Sequence, residues 1–333
     1  MSQKSKLPST ICILRLSAIG DITHMIPIIK TIQHNLPQSN ITWIIGKTEY
    51  QLVKNIKGVH FIIIDKEKTI KSIINLKKEI GNKEFDIFLH MQKSLRSKFL
   101  SVFIKAKKKL AFKDIHAPER SHVLDTFFYF LEAIGIKDRI LDWSLDFDKP
   151  SQNLLKNYKK YVVFNPFTSL RRFNYREWEL KNYEVIAKYL SEKYNLNSII
   201  VGGNSNYEIQ ASKKINLEKF ILNLVGKTNL QELSAILEKC QFYIGPDSGT
   251  MHIASMLSKP TIGLFATSNP KRTGPYQNQE YVINKYNQAL KIYMGSHEDD
   301  VKWGVRIRNK NAMSLINIDH VIEMIDKVQR NIS

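Results

Sequence analysis

Short runs of apolar, β-branched residues alternate with longer amphipathic segments along almost the whole chain. This alternation is typical of parallel sheets that are built from βαβ units. In the first half, the predicted strands are residues 11–16, 41–45, 61–64, 86–90 and 109–112. In the second half, they are residues 161–165, 198–201, 221–224, 241–245 and 261–265. The restart of the pattern predicts an α/β protein with two doubly wound parallel sheets.

The length of the chain supports two domains. Its 333 residues exceed what one hydrophobic core comfortably organises. Residues 141–158 contain Pro150 and lack strong periodicity, as is typical of a linker. We therefore predict a first domain of residues 1–155 and a second domain of residues 156–333. A final amphipathic helix is predicted near the end of the chain, and it is compatible with packing back on the first domain.

Composition narrows the class of protein. Hydrophobic residues make up 43% and charged residues 24% of the chain, which are ordinary values for a globular protein. No apolar run approaches the ~20 residues of a membrane-spanning helix, and the first residues lack the apolar core of a signal peptide. Cys12 and Cys240 lie in apolar runs without the spacing of a zinc site. These features predict a cytoplasmic protein.

The net charge of +19 predicts attraction to an anionic partner, which nucleic acid, a membrane surface or a phosphorylated substrate would provide. Residues 91–113 hold eight basic residues and no acidic one. Leu95, Phe99 and Phe103 are interleaved with them and give the segment an amphipathic character that suits a membrane surface. A solvated helix face is an equally good interpretation, and both remain open.

Ligands of open parallel sheets bind beyond the carboxyl ends of the strands. After the first predicted strand, Gly20 permits a tight turn and Asp21 stands where a helix begins. One interpretation of Asp21 is a helix N-cap. Another is a general base that accepts the proton of an acceptor hydroxyl as this hydroxyl attacks the anomeric carbon of a sugar. The two roles are compatible with each other.

The second half offers three more loops of this kind. Arg171 and Arg172 follow its first strand, and guanidinium groups suit a diphosphate, although adjacent arginines are more often surface charges. Glu208 follows a Gly-Gly turn and has the chemistry to accept hydrogen bonds from ribose hydroxyls. The segment 247–249, Asp-Ser-Gly, lies between a strand and a helix, where backbone N–H groups bind phosphate oxygens. From the residues alone, a capping role is favoured for Asp247.

Several familiar motifs are missing from the sequence. No Gly-x-Gly-x-x-Gly follows a strand, and neither a Walker lysine loop nor His-Glu-x-x-His occurs. Their absence argues against a dehydrogenase, a phosphate-loop ATPase and a zinc protease. The only acidic cluster, residues 298–300, lies in a polar stretch, and we interpret it as solvated and not as a metal site.

Three sequence motifs, in a characteristic order along the chain, indicate a known protein family. They are Ile-Leu-Arg-Leu-Ser-Ala-Ile-Gly-Asp at residues 13–21, Gly-Pro-Asp-Ser-Gly at 245–249 with His252 and Ala254, and Lys-Pro-Thr-Ile-Gly-Leu-Phe at 259–265 leading into Pro-Lys-Arg-Thr-Gly-Pro-Tyr at 270–276. In these the chain resembles glycosyltransferase family 9, the ADP-heptose:lipopolysaccharide heptosyltransferases. The resemblance implies a GT-B fold, in which two Rossmann-like domains face each other across a cleft.

The resemblance also implies an activity. Family members carry out inverting, metal-independent transfer of heptose from ADP-heptose to the lipopolysaccharide inner core, onto Kdo-lipid A or a heptosyl-Kdo acceptor. No cofactor is expected beyond the donor substrate. The acceptor would be an anionic glycolipid at the inner face of the cytoplasmic membrane, where peripheral attachment of a cytoplasmic enzyme is an open expectation. Nucleic acid is not an expected partner.

The site residues follow from the same resemblance. Asp21 matches the catalytic base of the family. The expected nucleotide-sugar-binding residues are Arg171, Arg172, Glu208, Asp247, Ser248, Gly249, Thr250 and His252. The expected acceptor-binding residues are Gly20, His24, Gln92, Lys93, Arg96, Lys98 and Arg120. The chain departs from the family pattern at Arg171, where the family has lysine, and at Thr250, where it has leucine.

Two alternatives remain at this stage. One is a GT-B transferase that uses a UDP- or GDP-sugar, because its phosphate-binding loops would look similar. The other is a non-catalytic binder of anionic polymers that exploits the basic charge. The chain lacks an aromatic-stacking motif beside its basic residues, and this absence argues against the second alternative.

Overall fold

The computed structural model describes residues 7–148, 155–156, 158–169, 175–216 and 218–332. The chain forms two compact units, Met1–Asp146 and Phe147–Ser333. The sequence-based boundary after residue 155 lies nearby. Each unit contains one sheet in which every pair of neighbouring strands is parallel.

The first unit is a five-stranded sheet covered by helices. Its strands are β1 (Thr10–Leu14), β2 (Asn40–Gly46), β3 (Val59–Ile64), β4 (Glu84–His90) and β5 (Lys105–Ala111). Its helices are α1 (Ile19–Asn35), α2 (Lys47–Val53), α3 (Thr69–Ile80), α4 (Leu95–Ser101) and α5 (Val123–Glu132). The strand order is β3-β2-β1-β4-β5.

The central strand β1 explains why this sheet needs helices on both faces. Ile11, Cys12, Ile13 and Leu14 have no exposed surface, as expected for a parallel strand covered on both sides. Burial raises the pKa of the Cys12 thiol, which therefore stays neutral. α1 packs against α5. Residues of α3 and α4 share a core cluster with residues of β1 to β4.

The basic segment 91–113 is not one continuous helix. It contains the short helix α4 and then β5, the edge strand of the sheet. The sequence predicted β5 only over residues 109–112, because the lysines in its first half hide the strand pattern. Charged side chains on an edge strand are a common protection against pairing with other chains.

The second unit contains a six-stranded sheet. Its strands are β6 (Tyr161–Phe164), β7 (Asn197–Ile200), β8 (Ile221–Asn223), β9 (Tyr243–Pro246), β10 (Thr261–Phe265) and β11 (Val282–Asn284). Its helices are α6 (Leu180–Tyr194), α7 (Asn206–Ser212), α8 (Leu230–Lys239), α9 (Gly249–Met256), α10 (Pro270–Thr273), α11 (Tyr286–Met294) and α12 (Ile318–Ile332). The strand order β8-β7-β6-β9-β10-β11 is that of a dinucleotide-binding Rossmann sheet.

The last helix, α12, packs on the second unit. Val321, Ile325 and Val328 form its buried stripe, and the helix contacts α6, β10 and β11. Asp326 adds polar contacts, because its carboxylate accepts hydrogen bonds from the hydroxyls of Tyr189 and Tyr194. Additional packing of this helix on the first domain stays a prediction.

Candidate active site

Both sheets have a point where the order of the strands reverses. In the first sheet it lies between β1 and β4, and in the second between β6 and β9. Ligands of open α/β sheets bind at this switch point, beyond the carboxyl ends of the strands. The segments that follow these four strands are therefore where binding and catalytic side chains are expected.

Asp21 lies in the segment after β1, as the third residue of α1. It is not the N-cap, which is Ala18. Its Oδ2 accepts a hydrogen bond from the Ala18 backbone N–H at 3.1 Å and forms an ion pair with Arg15. Its Oδ1 has no hydrogen-bond partner among the described residues. Because the side chain is 29% exposed, one carboxylate oxygen is held in place while the other is available to a ligand.

Arg15 is a site residue whose role the sequence patterns did not reveal. It is only 8% exposed. Besides Asp21, its guanidinium contacts the backbone carbonyl of Met91 and lies 5.0 Å from the centre of the Phe127 ring. A buried charge requires such partners. The signal in the sequence was a charged arginine near the end of an otherwise apolar predicted strand, inside the motif that carries the family resemblance.

The side chain of Gln92 connects the segments that follow β4 and β1. Its Oε1 accepts a hydrogen bond from the Leu16 backbone N–H at 2.6 Å, and its Nε2 lies 3.4 Å from the Ser17 hydroxyl. His90, at the end of β4, lies 3.0 Å from the Ser97 hydroxyl. Burial, together with the charge of Lys98, lowers the pKa of His90 and favours its neutral form. The structure thus brings Gln92 to the Asp21 loop.

The other predicted acceptor residues have different environments. Gly20 is in the first turn of α1, whereas His24 is buried in that helix, with its ring 5.3 Å from the ring of His122. Lys93 lies over the ring of Phe112, at 4.6 Å. The remaining three, all exposed, are Arg96 and Lys98 on α4 and Arg120 before α5.

In the second unit, Asp247 is held by two arginines and a serine. Its Oδ2 accepts a hydrogen bond from the Ser268 hydroxyl at 2.9 Å and lies 3.5 Å from Arg176 and 3.8 Å from Arg306. Arg176 also donates to the Asp247 backbone carbonyl at 2.7 Å. Asp247 and Arg176 are 6% and 8% exposed, so this ion pair is buried.

The capping role favoured for Asp247 is wrong. The N-cap of α9 is Ser248, whose Oγ accepts a hydrogen bond from the Met251 backbone N–H at 3.4 Å. Asp and Ser are both good N-caps, so neighbouring positions in the sequence could not be distinguished. Instead, ion pairs of the Asp247 side chain connect the segment after β9 to Arg176 and Arg306. Its side chain organises the site and does not cap the start of the helix.

The N-terminus of α9 forms the candidate phosphate site. Ser248, Gly249 and Thr250 are partly exposed there, and a helix N-terminus offers backbone N–H groups to anions. Thr250 accepts a hydrogen bond from Asn165, the residue that follows β6, at 2.7 Å. This bond joins the segments that follow the two strands flanking the switch point. His252, one turn further along, is largely buried.

Glu208 lies in the first turn of α7. Its carboxylate accepts hydrogen bonds from the Gly203 backbone N–H and the Ser205 hydroxyl, and it thereby fixes the turn after β7. A ribose hydroxyl would have to bind in addition to these partners. The predicted Arg171 and Arg172 lie outside the described residues. Arg176, which is described, was missed because its position depends on a contact between residues 71 positions apart.

Within the described ranges, no group of three or more His, Cys, Asp or Glu side chains is placed to hold a metal ion. None of the described helices is both long enough and apolar enough to cross a membrane.

Comparison with known proteins identifies the class. Residues 73–301 match the family model of glycosyltransferase family 9 (heptosyltransferase). The chain is 33% identical to the lipopolysaccharide core heptosyltransferase OpsX of Haemophilus influenzae, over 97% of this chain and 98% of that protein. In fold it is similar to a glycosyltransferase family 9 structure from Veillonella parvula, with a TM-score of 0.76, 20% identity, and coverage of 97% of this chain and 98% of that one.

It is also similar to Escherichia coli heptosyltransferase WaaC with ADP, with a TM-score of 0.72, 15% identity, and coverage of 96% and 99%. Two Rossmann-like parallel sheets with polar residues at their switch points, together with these structural similarities, define the GT-B fold. The chain belongs to glycosyltransferase family 9, the heptosyltransferases.

Proposed function

We propose that this enzyme transfers heptose from ADP-heptose to the inner core of lipopolysaccharide, onto Kdo-lipid A or a heptosyl-Kdo acceptor. The Haemophilus influenzae relative is a lipopolysaccharide core heptosyltransferase. WaaC structures contain ADP and ADP-2-deoxy-2-fluoro heptose, which supports an ADP-linked donor. The observation that carries the proposal is the Asp21 carboxylate, which is anchored through Oδ2 and open at Oδ1.

Asp21 acts as the general base in this proposal. As the acceptor hydroxyl approaches the anomeric carbon of the donor, Oδ1 takes the proton of that hydroxyl. The hydroxyl oxygen forms the new bond from the face opposite the diphosphate, and the bond between the anomeric carbon and the diphosphate oxygen breaks. ADP leaves with the bonding electrons, and the configuration at the anomeric carbon inverts. Arg15 positions the base, because its guanidinium holds Oδ2.

The second domain binds the donor in this proposal. The helix N-terminus at Ser248, Gly249 and Thr250 receives the diphosphate, where the partial positive charge of α9 stabilises the leaving group. Arg171 and Arg172 supply further positive charge, and Glu208 receives the ribose. The helix N-terminus and the two arginines provide the positive charge that a divalent cation would otherwise supply. The transfer is therefore proposed to need neither a metal ion nor a cofactor.

The acceptor is proposed to be an anionic glycolipid at the inner face of the cytoplasmic membrane. Lys93, Arg96, Lys98 and Arg120 would meet its phosphates and acidic sugars. Arg96 and Lys98 are exposed and form no ion pair among the described residues, which leaves their charges available to a ligand. On this account the enzyme is cytoplasmic and works at the membrane surface.

Nucleotide titration tests the donor assignment. We expect ADP to bind at least about tenfold more tightly than UDP or GDP, which corresponds to about 1.4 kcal/mol, as measured by isothermal titration calorimetry. Tighter binding of UDP or GDP would favour a GT-B transferase with another donor. Binding of DNA that weakens steeply with salt, without binding of any nucleotide, would favour a non-catalytic binder of anionic polymers.

The acceptor assignment is tested by the double variant Arg96→Ala/Lys98→Ala. We expect the Michaelis constant for detergent-dispersed Kdo-lipid A to rise about tenfold, because two charge-assisted contacts are lost. The dissociation constant of ADP should not change. Lys219→Ala/Lys239→Ala, which removes two exposed lysines from the second unit, is the control and should leave both constants unchanged. An unaltered acceptor constant in Arg96→Ala/Lys98→Ala would refute this assignment.

A further inference from the structure

The first unit exposes a group of large apolar side chains. Among the described residues, twelve large hydrophobic side chains are exposed, and five of them lie on α3, α4 and the turn after α4. We call these five residues the α3/α4 face. They are Ile70, Ile74, Leu95, Phe99 and Val102, with exposed fractions of 77%, 62%, 84%, 53% and 75%. Single exposed apolar residues are normal, whereas a group of them marks an interaction surface.

The spacing of these residues makes continuous stripes. Ile70 and Ile74 are four positions apart on α3, so they lie on the same side of that helix. Leu95, Phe99 and Val102 are separated by four and three positions and form a second stripe along α4. Two such stripes expose much more apolar surface than one exposed side chain does.

The two helices are neighbours. Leu76 of α3 and Leu100 of α4 belong to the same buried cluster beneath the sheet. The Nζ of Lys77 lies 4.5 Å from the centre of the Phe103 ring, which bridges α3 and the turn after α4. Phe103 in turn packs edge-to-face on Phe99, at 5.3 Å. The stripes of α3 and α4 are therefore parts of one surface.

Unpaired basic side chains accompany the α3/α4 face. Lys71, Lys78, Arg96 and Lys98 lie on the same two helices and are exposed, and none of them forms an ion pair among the described residues. Lys107 of the same unit differs, since it pairs with Asp86 at 2.7 Å. An apolar stripe with a positively charged border is complementary to a membrane whose lipid headgroups are anionic.

We propose that the α3/α4 face docks on an anionic lipid bilayer. Its apolar side chains enter the boundary between headgroups and acyl chains, while its basic side chains contact lipid phosphates. This choice of partner rests on the proposed function, in which the acceptor is a glycolipid. The position of α4 agrees with this choice of partner, because α4 begins three residues after Gln92, which hydrogen-bonds to the Asp21 loop. Docking would hold the acceptor side of the first domain at the membrane surface.

Vesicle sedimentation of the full chain tests the proposal. The probes are vesicles of phosphatidylcholine alone and vesicles with about 30% phosphatidylglycerol. We expect the wild-type enzyme to bind the anionic vesicles, and Leu95→Gln/Val102→Gln to reduce the partition coefficient at least about fivefold. Both replaced side chains are mostly exposed, so the fold should be preserved, as a circular dichroism melt will verify.

The matched control is Val185→Gln/Ile292→Gln, which changes two exposed apolar residues of the second unit and should bind vesicles like the wild type. Equal vesicle binding by the wild type and Leu95→Gln/Val102→Gln would overturn the proposal. So would a wild-type dimer that this variant converts to a monomer while vesicle binding persists, because the face would then bind a second copy. Vesicle binding requires no transfer reaction, so a failure of the proposed function would leave this result unchanged.

Discussion

Replacing Asp21 with asparagine should lower kcat by a factor of about 10²–10⁴, the usual contribution of a general base. The amide has nearly the shape of the carboxylate but cannot take a proton from the acceptor hydroxyl. The dissociation constant of ADP-heptose should stay within about twofold, because the donor is bound by the second domain in our account. Steady-state kinetics with saturating acceptor, together with calorimetric titration of the donor, measures both quantities.

Asp125→Asn is a matched control for this experiment. Asp125 also belongs to the first unit and pairs with an arginine, Arg139, and its side chain is 28% exposed compared with 29% for Asp21. Asp125→Asn therefore reports the effect of losing an arginine–carboxylate pair in the first unit, whereas only Asp21→Asn should lose turnover. Normal kcat in Asp21→Asn would rule out the general-base assignment.

Replacing Arg176 with methionine should lower the free energy of unfolding by about 3–5 kcal/mol, the typical cost of removing one partner of a buried ion pair. The Asp247 carboxylate would remain buried, with Arg306 at 3.8 Å and the Ser268 hydroxyl as its remaining partners. The segment that leads into α9 would lose its anchor, so donor binding should weaken as well. Urea denaturation of the full chain and calorimetric titration of ADP are the two measurements.

A double variant distinguishes two causes of the lost stability, which are the buried carboxylate without its arginine and the lost packing of the arginine side chain. Adding Asp247→Asn to Arg176→Met should restore part of the stability, since the buried carboxylate that has lost Arg176 is then removed. Lys188→Met is the control, because Lys188 forms an exposed pair with Glu192 that is worth about 0.5 kcal/mol at most. If Arg176→Met cost no more than this control, the buried pair would not stabilise the domain.

Much of the fold was predictable because parallel strands have a strong signature. The ten predicted strands correspond to β1–β10, whose buried, β-branched runs stand out between helical segments. β11 was missed, since it has three residues and follows a polar stretch. β5 was predicted too short, because an edge strand rich in lysine does not show the apolar pattern of a central strand.

The candidate site was predictable only in part. The rule that ligands bind beyond strand ends located Asp21, Asp247 and the start of α9. It did not find Arg15 and Arg176, because a buried guanidinium is identified by the partners that the fold brings to it. Arg15 reaches the carbonyl of Met91 after the neighbouring strand β4, and Arg176 reaches Asp247 from the loop before α6. Such contacts depend on tertiary structure, which local sequence patterns do not encode.

The most direct test of the account is the product formed from ADP-heptose and Kdo-lipid A. We expect mass spectrometry to show the acceptor heavier by one heptosyl residue, with ADP released in equal amount and without added metal ion. A heptosyl-Kdo-lipid A acceptor should be included, because the proposed transfer is onto either position in the inner core. An unchanged mass for both acceptors, together with transfer from a UDP- or GDP-sugar, would contradict the account.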